Sequence, residues 1–288
     1  MPTSEKILFT GVGEKDVYNI TAPFQYRGTT TIAGRVESRD EELSTIVLFT
    51  EGDDGQWSPL PDAATFEGLQ DPCITLIDGK LLLGGVRFPV TVGDDHHAWQ
   101  MEFFLEDDQH QFQHVYTGPP KMKDIRFAQL EDGEILVLTR PQGERGGRGK
   151  IGFLITEDFQ SLTDERVEEA PLFDQCPDHE WVGGNEIHPL TNTTVGVLGH
   201  IANFDDDVNR HYFAMSFVVD VTTGDHTPVR IIGKREDFPA GESKRPDLVD
   251  VIFSGGLVRD EAAGKAKLYA GLSDAEAGWV EIDDPFAL

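Results

Sequence analysis

Five polar positions recur along the chain in one local setting. These are Asn19, Asp71, Asp124, Asn185 and the Ser254 region, each standing at the head of a short apolar stretch. A second polar set closes the apolar stretch that follows four of the heads: Arg35 with Glu37, Arg140, His200, and Ser273-Asp274. A purely structural repeat needs neither Arg nor His at the end of an apolar strand. Carboxylates in such a set suit proton transfer to a leaving oxygen and the binding of sugar hydroxyls. Lys123, Arg126, Arg140, Lys150 and His200 suit an anion such as phosphate, through charge-assisted hydrogen bonds. Tyr18, Trp181, Tyr212 and Tyr269 offer faces that pack against pyranose rings. Taken singly, each of these residues also reads as an ordinary core or ion-pair residue; the expectation of a polar pocket comes from their joint recurrence.

The elements that position these residues form a repeat. Asp71 to Val86, Asp124 to Arg140 and Asn185 to His200 each run from a polar head through an apolar strand and a tight turn to a second apolar strand. Asp78-Gly79 and Asp132-Gly133 are strong hairpin signals, because Asp and Gly tolerate positive φ; Thr191-Asn192 takes that place in the third copy. Weaker copies start at Asn19, with an Arg27-Gly28 turn, and at Val251. The heads at 19, 71, 124 and 185 are 52, 53 and 61 residues apart, and the fifth, near 252, follows after 67. Further strands are expected over 45–50, 99–104, 150–155 and 211–219. Such a period fits a four-stranded blade with its loops, and five copies predict an all-β, five-bladed β-propeller formed by residues 1–288 as one domain. A β-sandwich or two small β domains is the alternative. In a propeller the heads converge on one mouth of the central channel. The stretch 142–149, rich in Gly and Arg, reads as a mobile loop that would close over that mouth.

Composition narrows the chemistry. The 288 residues carry 52 acidic and 24 basic side chains, a net charge of −28, which disfavours nucleic acid and anionic membranes as partners. The sequence holds no run of 18 apolar residues and no signal-peptide pattern at its start, so a cytoplasmic location is expected. Cys73 and Cys176 fit no metal spacing and read as reduced thiols. The pair His96-His97 lacks zinc-site spacing and reads as part of a polar loop. No metal site, P-loop, nucleophile elbow or dinucleotide fingerprint is present. Nothing in the sequence indicates the oligomeric state.

Several segments resemble a known group. They are Gly34 to Asp40, Gln70 to Thr75, Lys123-Asp124 followed by Leu138 to Pro141, and Tyr269 to Asp274. Val17 to Phe24, Trp181 to Ile187 and Val251 to Gly256 extend the likeness over nearly the whole chain. They resemble the mannoside phosphorylases of glycoside hydrolase family 130. More closely they resemble the β-1,2-mannosyltransferase/phosphorylase group, glycosyltransferase family 108, long catalogued as a domain of unknown function. The resemblance implies an enzyme acting on β-1,2-linked mannosides. Asp71, in the Asp-Pro motif, would be the catalytic acid and would protonate the glycosidic oxygen by way of a sugar hydroxyl. Phosphate would attack the anomeric carbon from the opposite face and give α-mannose 1-phosphate with inversion, or the reverse reaction would extend a chain. The implied partners are a manno-oligosaccharide and phosphate or mannose 1-phosphate, with no cofactor; GDP-mannose is the donor in the transferase branch. Asn19, Arg35, Glu37, Asp124, Asn185, Glu186, Tyr269 and Asp274 are the candidates for the sugar. Lys123, Arg126, Arg140, Lys150 and His200 are the candidates for phosphate. The family motif often has Glu where Gln70 stands and Arg where Cys73 stands, so one anion-binding arginine is missing at that point.

Two other functions compete. An inverting glycosidase needs a second carboxylate about 6.5–9.5 Å from the acid to activate water, and Glu37, Asp124, Glu180 and Glu186 are candidates. A sugar-binding propeller without catalysis needs neither.

Overall fold

The computed structural model describes residues 3–287. The chain is nearly all β, with 53% strand and 5% helix. It divides into two compact units. The first comprises Met1–Pro72, Phe204–Ala214 and Ile232–Leu288; the second comprises Cys73–Asn203 and Met215–Ile231.

In the first unit, Ser4–Lys6, Glu276–Asp283, Lys265–Leu272 and Asp250–Asp260 are successive antiparallel neighbours. At the far edge His211 and Tyr212 pair in parallel with Asp250 and Val251. A second sheet runs Asp16–Tyr18, Thr29–Glu37, Ser44–Glu51, Trp57–Pro59. Between the two lies a core containing Val17, Ile20, Ile32, Val36, Phe49 and Tyr269. Thr29–Glu37 is buried at seven consecutive positions from Thr31 onward. That unbroken burial fits the Ile32-Ala33-Gly34 run without alternation, as expected of a strand covered on both faces, while Arg35 and Glu37 are charged groups buried near its end.

In the second unit, Lys80–Val92 and Asp95–Glu106 form a long hairpin, flanked by Leu69–Ile77 and Phe112–Thr117. A three-stranded sheet joins Arg126–Gln129, Ile135–Thr139 and Gly152–Thr156, and Trp181–Pro189 pairs with Thr194–Phe204. Ile135–Thr139 is buried throughout. Two apolar clusters fill this unit, one around Leu138, Val197 and Phe217 and one around Phe103, Phe127 and Val137.

The expected strands are present; three extend one to four residues beyond the sequence-based bounds, and the one expected over 150–155 runs Gly152–Thr156, starting two residues later. The turns differ among themselves. Asp78 and Gly79, like Arg27 and Gly28, both take positive φ, the two-residue arrangement that matches strand twist. In the Leu130–Glu134 turn only Gly133 does, because the loop is one residue longer and closes through Gly133 N–H to the Leu130 carbonyl. Two expectations are corrected. His96 and His97 lie in the strand Asp95–Glu106 and are exposed, not in a loop. The stretch 142–149 is not free: Gly143–Gly146 is one turn of helix, and Arg145 donates to the carbonyls of Glu169 and Ala170 at 2.8 and 2.6 Å. Neither Cys73 nor Cys176 is in a disulfide, and both are buried. Among the described residues no helix is long and apolar enough to cross a membrane.

Candidate active site

The head residues share a backbone property that the sequence did not announce. Asn19, Asp71 and Asp124 all have positive φ, of 45°, 50° and 61°. Asn and Asp are the side chains that best tolerate this region, since they hydrogen-bond locally. Asn185 sits instead at a register shift between Gly184 and Glu186, and the fifth copy has the same shift between Ser254 and Gly256. Each head is thus a bulge or a left-handed kink, which turns a polar side chain out of the strand alternation.

In the first unit this geometry assembles a carboxylate cluster. Asp71 Oδ1 accepts hydrogen bonds from Asn19 Nδ2 at 2.8 Å and from Arg35 Nη1 at 3.0 Å. Its Oδ2 has no hydrogen bond among the described residues, and the side chain is 13% exposed. Arg35 is fixed from all sides: Nε donates to Ser44 Oγ at 2.9 Å, Nη2 bonds Glu37, and the guanidinium lies 4.9 Å from the Tyr18 ring centroid. Glu37 is almost wholly buried and accepts from Tyr18 Oη at 2.6 Å, from Ser44 and from Lys244. Burial alone would raise its carboxyl, but the Arg35 charge and these hydrogen bonds outweigh burial and hold it below its ordinary value. Asp274 behaves oppositely. Burial, reinforced by the neighbouring Asp71 charge, pushes it up in spite of Arg35, so it keeps a proton more readily than an ordinary aspartate. Burial likewise drives the Tyr18 phenol far up, with Asp274 and Glu37 adding to it, so Tyr18 remains a donor.

Gly271 makes room for this arrangement: a Cβ there would lie 2.1 Å from Asn19 Oδ1. The cluster therefore brings together four predicted residues with Asp71: Asn19, Arg35, Glu37 and Asp274. Ser44 and Lys244 were missed. Lys244 is 207 residues from Glu37, and its only signal was a basic pair, Lys244-Arg245, shortly before the fifth head.

The second unit holds a cationic cluster. Asp124 is 3.2 Å from Arg140 Nη1, 3.8 Å from Arg126 Nη2 and 3.8 Å from His200 Nε2. All four side chains are at most 5% exposed. Arg126 Nε donates to the Asn185 carbonyl and Arg140 Nε to the Val182 carbonyl, both at 2.8 Å. His200 Nδ1 lies 2.8 Å from Asn185 Oδ1. Burial would raise Asp124, but Arg140 first, then His200, Arg126 and Lys123, hold it at about 2. Burial pushes His200 down to about 3; Asp124 resists, and Arg140, Lys123 and Arg126 add to the fall. At neutral pH the cluster is one carboxylate, one uncharged imidazole and three cations, an excess of positive charge in a chain whose net charge is −28. Asn185 Nδ2 is buried without a hydrogen-bond partner, while Arg140 Nη1 and Asp124 Oδ2 face each other as an ion pair at 3.2 Å. The Asn185 amide is a donor beside surplus positive charge, and an anion would satisfy it.

Lys150 and Glu186 have other ion-pair partners. Lys150 Nζ is 3.5 Å from the exposed Asp178. Glu186 pairs with His188 at 2.6 Å and shares a small enclosed space with Arg126 and Asn185. Tyr269 is not part of the Asp71 cluster; it is buried in the packing around Val17, Ile20 and Trp57.

Two predictions arise from the second cluster. At Gly183 a Cβ would lie 2.4 Å from His200 Cε1 and 2.8 Å from Asp124 Oδ2. Gly183→Ala is expected to displace the imidazole and cost roughly 1–3 kcal/mol, read as a lower thermal midpoint. The His200 shift also sets a pH dependence. An unfolded histidine takes up a proton near pH 6.5, whereas folded His200 stays neutral down to about 3. Between these values the unfolded chain binds more protons, so stability falls as pH drops through that window. Denaturant unfolding at pH 7, 5.5 and 4 should show a progressive loss, and His200→Gln should flatten it.

Comparison with known proteins gives the chain a family and structural neighbours. A family described as "Protein of unknown function (DUF1861)" matches residues 1–288. The chain belongs to that family. A mannose phosphorylase from Leishmania mexicana, solved with a phosphate ion, is 33% identical over 99% of this chain and 89% of its own, with a TM-score of 0.89. A GDP-Man-dependent mannosyltransferase from the same organism is 29% identical, covering 99% and 90%, with a TM-score of 0.86. A β-1,2-mannobiose phosphorylase from Listeria innocua, in complex with β-1,2-mannobiose, shares 14% identity, covers 98% and 91%, and has a TM-score of 0.66. That last likeness is one of fold. No curated protein sequence matches the chain. The resemblance of the family member to mannosyltransferases and phosphorylases is borne out by these neighbours, as is the β-propeller fold type shared with glycoside hydrolase family 130.

Proposed function

We propose that this family member is a mannoside phosphorylase, transferring a mannosyl group between a β-1,2-linked manno-oligosaccharide and phosphate with inversion, on a single five-bladed propeller. The observation that carries the reading is Asp71, whose Oδ1 is fixed by Asn19 and Arg35 while Oδ2 stays unengaged. A general acid needs this: one oxygen held in place, the other free to carry and deliver a proton. The bond from the anomeric carbon to the leaving oxygen breaks as that oxygen takes the proton, and a phosphate oxygen forms the new bond from the opposite face. Asn19, Arg35, Glu37 and Asp274 are assigned to sugar hydroxyls. Lys123, Arg126, Arg140, His200 and Lys150 are assigned to the phosphate, with Asn185 and Glu186 beside them.

The same geometry counts against Glu37 and Asp124, two of the four candidate bases for hydrolysis. Glu37 accepts from four side chains and is held below its ordinary value, and Asp124 is held at about 2. Neither is basic enough to take a proton from water efficiently.

The second reading is transfer from GDP-mannose, favoured by the neighbour at 29% identity. Donor competition separates the two. Incubated with a β-1,2-mannobiose acceptor and either α-mannose 1-phosphate or GDP-mannose, the protein is expected to extend the acceptor and release phosphate from the first. Extension from GDP-mannose alone would establish the second reading.

A further inference from the structure

The first unit contains an aromatic cleft on the strands that lead away from the Asp71 cluster. Strand register places Glu5 opposite Trp279, Trp279 opposite Tyr269, and Tyr269 opposite Gly256. One row of the sheet face thus runs from a carboxylate across an indole and a phenol to a residue with no side chain, which leaves the space beyond Tyr269 open. Trp57 and Glu51 come from the second sheet of the same unit and line the same cavity, whose volume is about 540 Å³, within the range of small-ligand sites. Tyr269 lies four residues before Ser273 on its strand, roughly 13 Å from the turn that carries Asp274. The cleft is therefore not the sugar site assigned to Asp71.

Its chemistry selects for a ligand class. Trp57 and Tyr269 are buried, Trp279 is half-buried, and all three line the cavity. The Lys267 ammonium lies 4.0 Å from the Trp279 ring centroid and holds that indole in place. Around this floor stand Glu5, Glu51 and Gln25, all exposed, with planar acceptors and an amide donor for hydroxyl groups. Two carboxylates against one ammonium repel phosphate and other anions. Burial, then Glu51 and Glu5, raise the Tyr269 phenol, so it stays a neutral donor. An aromatic floor under a rim of planar hydrogen-bonding groups, without net positive charge, matches a neutral pyranose chain: C–H faces on the rings, hydroxyls on the rim.

We infer that the cleft formed by Trp57, Tyr269 and Trp279 is a second carbohydrate site, which holds a neutral hexopyranose chain apart from the reacting bond. The choice of a manno-oligosaccharide as its occupant rests on the function proposed above; the cleft as a neutral-sugar site does not. Such a site would retain a long chain between successive transfers.

The test uses the full chain carrying Asp71→Asn, so that no ligand is consumed. Binding of β-1,2-mannotetraose, and of glucan and xylan tetraoses, is measured by tryptophan fluorescence and saturation-transfer NMR. Trp279→Ala is expected to weaken binding tenfold or more. Glu51→Arg, at an exposed position that leaves the packing intact, is expected to do the same. In the chain with Asp71 intact, neither change should alter turnover of mannobiose more than about twofold. Unchanged affinity in both variants, or no binding of any of the three chains, overturns the site. Cleft-dependent binding of the glucan or xylan chain alone would uphold the cleft and count against the proposed function.

Discussion

Asp71→Asn is expected to lower turnover of a β-1,2-mannoside by a hundredfold to roughly ten-thousandfold, the contribution of a positioned general acid. The substitution isolates that contribution. Asn accepts a positive φ as Asp does, and its Oδ1 can still receive Asn19 and Arg35, so the backbone and the fixed oxygen are retained. What disappears is the transferable proton on the second oxygen. Leaving-group chemistry separates this from a structural defect. A 4-nitrophenyl group departs without protonation, so the loss with a 4-nitrophenyl mannoside should be far smaller than with mannobiose. An equal loss on both substrates would mean that Asp71 supports the site without donating the proton. Asp71→Ala should add instability, because alanine at φ 50° costs about 1–2 kcal/mol.

The second large effect is expected at Arg140. Arg140→Met removes the nearest cation from Asp124, a carboxylate buried with it whose Oδ2 lies 3.2 Å from Arg140 Nη1. Breaking a buried pair by deleting one partner costs about 3–5 kcal/mol, which corresponds to a drop of roughly 10 °C in the thermal midpoint. The KM for phosphate should rise at least tenfold, since the assigned anion site loses its most enclosed guanidinium. Pairing the change with Asp124→Asn tests both parts. The double variant no longer buries an uncompensated charge and should recover most of the stability, yet its affinity for phosphate should stay low. Recovery of both would show that Arg140 serves only to neutralise Asp124.

Much of this was legible in the sequence, and the reasons it stopped are physical. The Asp78-Gly79 turn and the alternation around it announced hairpins, because turn chemistry is local. Asn19, Asp71, Asp124, Asn185 and Asp274 stood out because polar side chains next to apolar strands are unusual. Their exact orientation did not, since it depends on left-handed kinks at four of them and on a register shift at Asn185, and a shift of one residue moves a side chain to the other face. Tyr269 shows the cost: it lies in the same short motif as Asp274 but on a strand face that belongs to the aromatic cleft. Lys244 was silent for another reason. Its partner Glu37 is 207 residues away, and no local pattern encodes a contact made by the return of the chain. The 142–149 stretch misled because glycine-rich composition reports freedom in the unfolded chain, whereas Arg145 ties this segment to two carbonyls.

The central claim is that phosphate, and not water, accepts the mannosyl group. The most direct measurement is phosphorus NMR of the protein incubated with β-1,2-mannobiose, with and without inorganic phosphate. The account predicts α-mannose 1-phosphate accumulating in step with one equivalent of free mannose when phosphate is present, and no cleavage when it is absent. Free mannose appearing at the same rate without phosphate, with no sugar phosphate formed, would contradict it.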